Sequence, residues 1–117
     1  MEAKAIGKYF RISAMKLRKV INLIRDKSVS DALAILRVMP NKGARIAYKV
    51  IHSARANFKN VNPEESVDNL MITKICADEA PIFKRYLPRA RGRADMLRKQ
   101  NAHLRVVVAL PAPEEKK

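Results

Sequence analysis

Between Lys84 and Arg105 the chain carries eight basic residues, one acid (Asp95) and little apolar surface. The stretch K-R-Y-L-P-R-A-R-G-R-A-D-M-L-R-K-Q-N-A-H-L-R therefore holds half of the net charge of +14. It lies between two apolar, β-branched segments that read as strands, Leu70–Ala77 and Leu104–Leu110. Such a stretch buries too little apolar area to offset the cost of ordering its backbone. It needs an external polyanion, and nucleic acid is the one the pattern points to.

A structureless loop longer than about 12–15 residues is rare inside a compact domain. The alternative is a hairpin whose arms run on past the body, with its turn near Pro88 to Arg93, where Pro88 and Gly92 act as breakers. About ten residues per arm at roughly 3.3 Å each gives a projection of about 30 Å. Two-stranded hairpins are marginal in water, so the arm is expected to gain order on binding.

The remaining segments supply a body. Ala3–Ile12 reads as an edge strand weakened by Gly7. Ser13 reads as an N-cap, followed by Leu17, Val20, Ile21 and Ile24 at the spacing of an amphipathic helix. Ser30 opens a second helix with Leu33, Leu36 and Met39 inward, stopped by Pro40. A third, from about Asn41 to Lys59, places Ala44, Ala47, Ile51, Ala54 and Phe58 on one face and Lys42, Arg45, Lys49, His52 and Lys59 away from it. Leu104, Val106, Val108 and Leu110 line one face of the last strand. The expected fold is α+β: three helices packed on a small antiparallel three-stranded sheet, with a long β-hairpin projecting from it. One domain is expected over 1–110, with the hairpin at about 78–104 and a flexible tail at 111–117.

At 117 residues there is room for one modest core. A charge of +14 exceeds the magnitude of about 2–8 that solubility requires, which again calls for an anionic partner. No signal-peptide pattern and no membrane-span pattern is visible. The single cysteine, Cys76, excludes an internal disulfide and reads as a small core residue.

Three guanidiniums, Arg89, Arg91 and Arg93, crowd the Gly-containing tip, suited to bidentate phosphate contacts. The basic face of the third helix alone is no more than any solvated helix shows. Zinc-ligand spacing is absent, and the three Tyr and three Phe form no clustered stacking platform in sequence, so phosphate position and shape are expected to dominate over base reading. No cofactor and no metal is expected. Asp78 and Glu79 are adjacent and so point to opposite faces of a strand, the two histidines form no dyad with Cys76, and no Gly-rich phosphate loop exists. No active site is visible.

Several motifs together resemble one family. These are R-I-S-x-x-K at Arg11–Lys16, A-I-L-x-x-x-P-x-K-G-A at Ala34–Ala44, S-A-x-A-N at Ser53–Asn57, R-x-x-x-R-A-R-G-R at Arg85–Arg93, and His103-Leu104-x-Val106-x-Val108. Over nearly its whole length the chain is similar to the bacterial form of the ribosomal large-subunit protein numbered twenty-two. The resemblance implies a body on the outside of the large subunit of the cytoplasmic ribosome and a hairpin threading the ribosomal RNA. In that family the hairpin tip forms part of the wall of the nascent-peptide exit tunnel. Carried over, Pro88, Arg89, Ala90, Arg91, Gly92 and Arg93 form the tunnel-lining tip. Lys84, Arg85, Arg98, Lys99 and Arg105 bind rRNA along the arms, together with the tip arginines, and Arg11, Lys16 and Arg18 bind it from the body. The implied partners are rRNA, neighbouring large-subunit proteins and the nascent polypeptide, with the protein itself a monomer in the ribosome. Three departures stand out: Ala80-Pro81 where the family has glycine before proline, Ala14-Met15 where it often has proline-arginine, and Lys99-Gln100-Asn101-Ala102-His103 for its K-R-T-S-H.

The leading expectation is thus a non-catalytic rRNA-binding structural protein. A free RNA-binding or RNA-chaperone module outside the ribosome is the alternative that residue chemistry alone leaves open. A membrane-surface role through the first helix is disfavoured, because its apolar stripe is short and has no Trp or Phe anchor.

Overall fold

The computed structural model describes residues 2–88, 90–92 and 94–110, with backbone only at Leu87, Ala90, Ala94, Asp95, Leu97 and Arg98. The expected tail at 111–117 lies outside the described residues. The chain runs β1 (Glu2–Phe10), α1 (Ala14–Ile21), α2 (Val29–Val38), α3 (Lys42–Val61), a single 3-10 turn (Val67–Asn69), β2 (Met71–Pro88) and β3 (Ala94–Ala109). The α+β arrangement expected from the sequence is the one observed, with strand order β1-β3-β2 and both pairings antiparallel. The last strand thus becomes the central one, paired on both sides.

Helix boundaries follow from caps. The Ser13 side chain accepts from Lys16 N–H and starts α1. The second helix opens two residues earlier than the Ser30 reading: Ser28 is the cap, its hydroxyl accepting from Asp31 N–H, and Val29 is wholly buried. The reason is tertiary. Val29 N–H donates to Leu70 O (2.9 Å) and Ile72 N–H to Lys27 O (3.1 Å), so the segment entering α2 is zipped to the start of β2. Helix α3 buries Ala44, Ala47, Ile51, Ala54 and Phe58, the face its periodicity indicates.

The core lies between the helices and one sheet face. Ile72, Ile75, Ala77, Leu104, Val106 and Val108 point into it; Leu110 is only half-buried. Cys76 is not a core residue. A register shift between Ile72 and Lys74 inverts the alternation of β2, bringing Ile75 and Ala77 inward and leaving Cys76 half-buried opposite Arg105. Gly7 serves packing rather than merely weakening β1. A Cβ there would lie 2.3 Å from the Phe10 ring and 3.1 Å from Val50 Cγ2, so the glycine lets α3 and Phe10 close over the strand.

Pairing of β1 to β3 ends at Phe10–Ala102, whereas β2 and β3 continue together to Pro88–Ala94. From Ala80 and Asn101 outward the sheet is a two-stranded ribbon, which at about 3.3 Å per residue reaches about 30 Å beyond the third strand. The extents of 70 × 25 × 21 Å and the radius of gyration of 17.8 Å reflect this arm. A compact chain of this length would have a radius of about 13 Å.

Candidate nucleic-acid interface

The ribbon begins at a second register shift, between Ala80 and Phe83. Asn101, 3% exposed, holds that irregularity: its Nδ2 donates to Pro81 O (3.0 Å) and Lys99 O (3.3 Å). The shift coincides with Ala80-Pro81, where proline cannot donate to a ladder. A buried side-chain amide at this corner is thus a local consequence of the sequence, although spacing alone did not reveal it.

Beyond the corner, Ile82, Phe83, Lys84, Arg85 and Tyr86 are all exposed, and the register sets Lys84 opposite Arg98, a pairing of like charges. Like charges directly opposite one another destabilise a ladder. Among the described residues beyond the corner, none joins the core, and the charge pattern disfavours the ribbon in isolation. At its end Arg91 and Gly92 both adopt positive φ (63° and 73°), the left-handed geometry a tight hairpin reversal needs. Both are exposed, as is Pro88. Arg89 and Arg93 lie outside the described residues, as do the side chains of Ala90 and Arg98.

Where the ribbon joins the body, Arg11, Lys16 and Lys99 meet around one shallow concavity with Ser13 and Gln100. Three cations, from β3, from the β1–α1 connection and from the first turn of α1, therefore converge. Lys42, from the basic face of α3, reaches the same connection by donating to Arg11 O (2.6 Å).

Arg18 and Arg105, both expected to bind RNA, are engaged within the protein, as is Arg25. Arg18 donates from Nη2 (3.0 Å) and Nε (3.3 Å) to Ala77 O, and Arg25 from Nη1 to Ile75 O (2.9 Å). These carbonyls lie on the outer edge of β2, so the two guanidiniums cover an edge that would otherwise be open to further pairing. Arg105 Nε contacts Asp78 Oδ2 at 2.9 Å, with both side chains nearly half exposed. That is the one ion pair among the described residues.

One feature contradicts the expectation of scattered aromatics. The Tyr9 and Phe83 rings lie 6.2 Å apart with planes within 12°, His103 packs edge-on to Tyr9 at 4.8 Å, and the Arg85 guanidinium sits 5.7 Å from the Phe83 centroid. Residues far apart in the chain meet because β1 and β2 flank β3, a proximity that no sequence spacing signals.

Among the described residues no group of His, Cys, Asp and Glu is arranged to hold a metal ion, and no helix is long and apolar enough to cross a membrane. The geometry offers a cationic ribbon, a cationic concavity at its root and an exposed turn at its end.

The family model described as ribosomal protein L22p/L17e matches residues 5–109. Among curated proteins, the large ribosomal subunit protein uL22 of Roseiflexus sp. (strain RS-1) is 53% identical over 108 residues, covering 92% of this chain and 95% of its own. The protein of that name from Pelotomaculum thermopropionicum is 48% identical over 109 residues (93% and 96%). The one from Sulfurihydrogenibium sp. (strain YO3AOP1) is 48% identical over 116 residues (97% of each).

Proposed function

The chain belongs to the ribosomal protein L22p/L17e family, and from that premise we propose that its hairpin threads the ribosomal RNA and carries its turn to the wall of the nascent-peptide exit tunnel. The protein is a structural, non-enzymatic component of the large ribosomal subunit, in the cytoplasmic ribosome, associated with rRNA and with other ribosomal proteins. The alternative of a free RNA module finds no support in its relatives.

One observation carries the finer reading: among its described residues the ribbon between Ala80 and Asn101 has no core of its own, and its sequence has an excess of positive charge. A ribbon of that kind is ordered by a polyanion that surrounds it. Lys84, Arg85, Arg98 and Lys99 bind phosphates along the arms, with Arg11 and Lys16 joining Lys99 at the root. Arg89, Arg91 and Arg93 with Pro88, Ala90 and Gly92 form the tip that meets the nascent polypeptide. Arg18 and Arg105 stand apart, because Ala77 O and Asp78 already engage them. The protein acts as a monomer, residues 1–110 forming one domain whose helical body stays on the outside of the subunit.

The test is sedimentation of lysate containing a tagged copy, with and without a high-salt wash. Stoichiometric retention in the large subunit after the wash is expected for a ribbon enclosed by RNA. Release into the light fractions would indicate a peripheral electrostatic binder and overturn the threaded arrangement.

A further inference from the structure

We propose that Tyr9, Phe83 and Arg85 form a stacking platform for an unstacked base of the ribosomal RNA. The inference rests on the RNA-binding reading above and adds base contact to what is otherwise phosphate binding.

Tyr9 is 50% exposed and Phe83 39%, so two large rings with nearly parallel planes stand in solvent at the root of the ribbon. Burying them in the body would have been the ordinary outcome, since apolar burial drives folding. They are instead held out by specific contacts. Tyr9 has φ of +60°, a left-handed conformation that is an outlier for a bulky side chain. It occurs where the β1–β3 register breaks between Gly7 and Phe10. Tyr9 N–H donates to His103 Nδ1 at 3.1 Å, and the His103 ring packs edge-on against the tyrosine at an interplanar angle of 89°. An Nδ1 that accepts leaves the imidazole proton on Nε2, so His103 anchors Tyr9 through backbone and ring together. Strain kept in place by surrounding contacts is characteristic of binding sites.

The occupant follows from shape and charge. Arg85, its guanidinium 5.7 Å over the Phe83 ring, adds a cation to the cluster, and a guanidinium plane stacks on bases as well as on aromatic rings. Lys84 and Lys99 neighbour Phe83 in sequence and across the ladder, so a base seated on the rings has its phosphates near cations. Single-stranded RNA is recognised in this way, by stacking of splayed bases on aromatic and Arg planes. A flat apolar surface rimmed by cations suits a nucleobase better than an aliphatic protein surface.

The test uses the full chain at low salt with two probes of equal phosphate number, octa-adenylate and an octamer of abasic ribose phosphates. Stacking of one base predicts that octa-adenylate binds about 5- to 140-fold more tightly. Tyr9→Leu and Phe83→Leu should each reduce that ratio while leaving abasic binding unchanged; Tyr86→Leu, a lone exposed ring farther along the arm, should leave the ratio intact. Circular dichroism melts check folding, and Phe83 lies outside the core, so its variant remains informative if the Tyr9 variant unfolds. Equal binding of the two probes, or loss of the ratio through Tyr86→Leu alone, overturns the platform and turns this surface toward a protein neighbour. Failure of both probes to bind overturns the RNA reading itself and the platform with it.

Discussion

Replacing Arg18 by glutamine separates a structural role from an RNA role at one residue. Its guanidinium makes two hydrogen bonds to Ala77 O, at 3.0 and 3.3 Å, and so ties α1 to the edge of β2. Hydrogen bonds to charged groups contribute about 1.5–3 kcal/mol each when well shielded. Arg18 is exposed, and water can replace it at the carbonyl, so the pair together is expected to contribute about 1–1.5 kcal/mol. For a domain of this size that corresponds to a melting temperature lower by about 4–6 °C. A phosphate contact would behave oppositely: stability would hold, and the slope of log affinity against log salt would fall by about 0.7–0.9. Melting followed by circular dichroism and RNA binding titrated at several salt concentrations give both numbers on one preparation. An unchanged melting temperature with a reduced salt slope would refute the assignment of Arg18 to the sheet edge.

Further outcomes follow from packing and charge. Phe58→Ala empties a fully buried site beneath α3 and should cost about 3–5 kcal/mol in urea unfolding. Gly7→Ala forces the Phe10 ring away from a Cβ at 2.3 Å and should cost about 1–3 kcal/mol in the same assay, despite the higher intrinsic strand preference of alanine. Replacing residues 82–100 with a two-residue turn removes Lys84, Arg85, Arg89, Arg91, Arg93, Arg98 and Lys99; the body should still melt cooperatively, and the salt slope of RNA binding should drop by up to about 5–6.

Much of this architecture is legible in the residues because it rests on local periodicity. Helix α3 declares its buried face through Ala44, Ala47, Ile51, Ala54 and Phe58, and the ribbon declares itself by a surplus of cations with breakers at Pro88 and Gly92. What escaped is set by contacts distant in sequence. Ser28 and Ser30 are equally good caps on paper, and only the pairing of Val29 with Leu70 selects the first. The facing of Cys76 depends on the register shift between Ile72 and Lys74. Arg18 resembles any other surface cation until the Ala77 carbonyl is found beside it. Tyr9, Phe83 and His103 carry no shared spacing, so the aromatic cluster exists only once β3 has drawn the other two strands to its sides.

The threaded hairpin is tested most directly by photo-crosslinking from its tip. A photoreactive residue placed at Arg91, on the exposed turn, is compared with one at Val38, 81% exposed on the body helix α2. Both are incorporated into ribosomes stalled with a radiolabelled nascent chain long enough to fill the tunnel. A threaded hairpin gives a crosslink to the nascent chain from position 91 and none from position 38. Absence of the product from position 91, in subunits that contain the protein stoichiometrically, would contradict it.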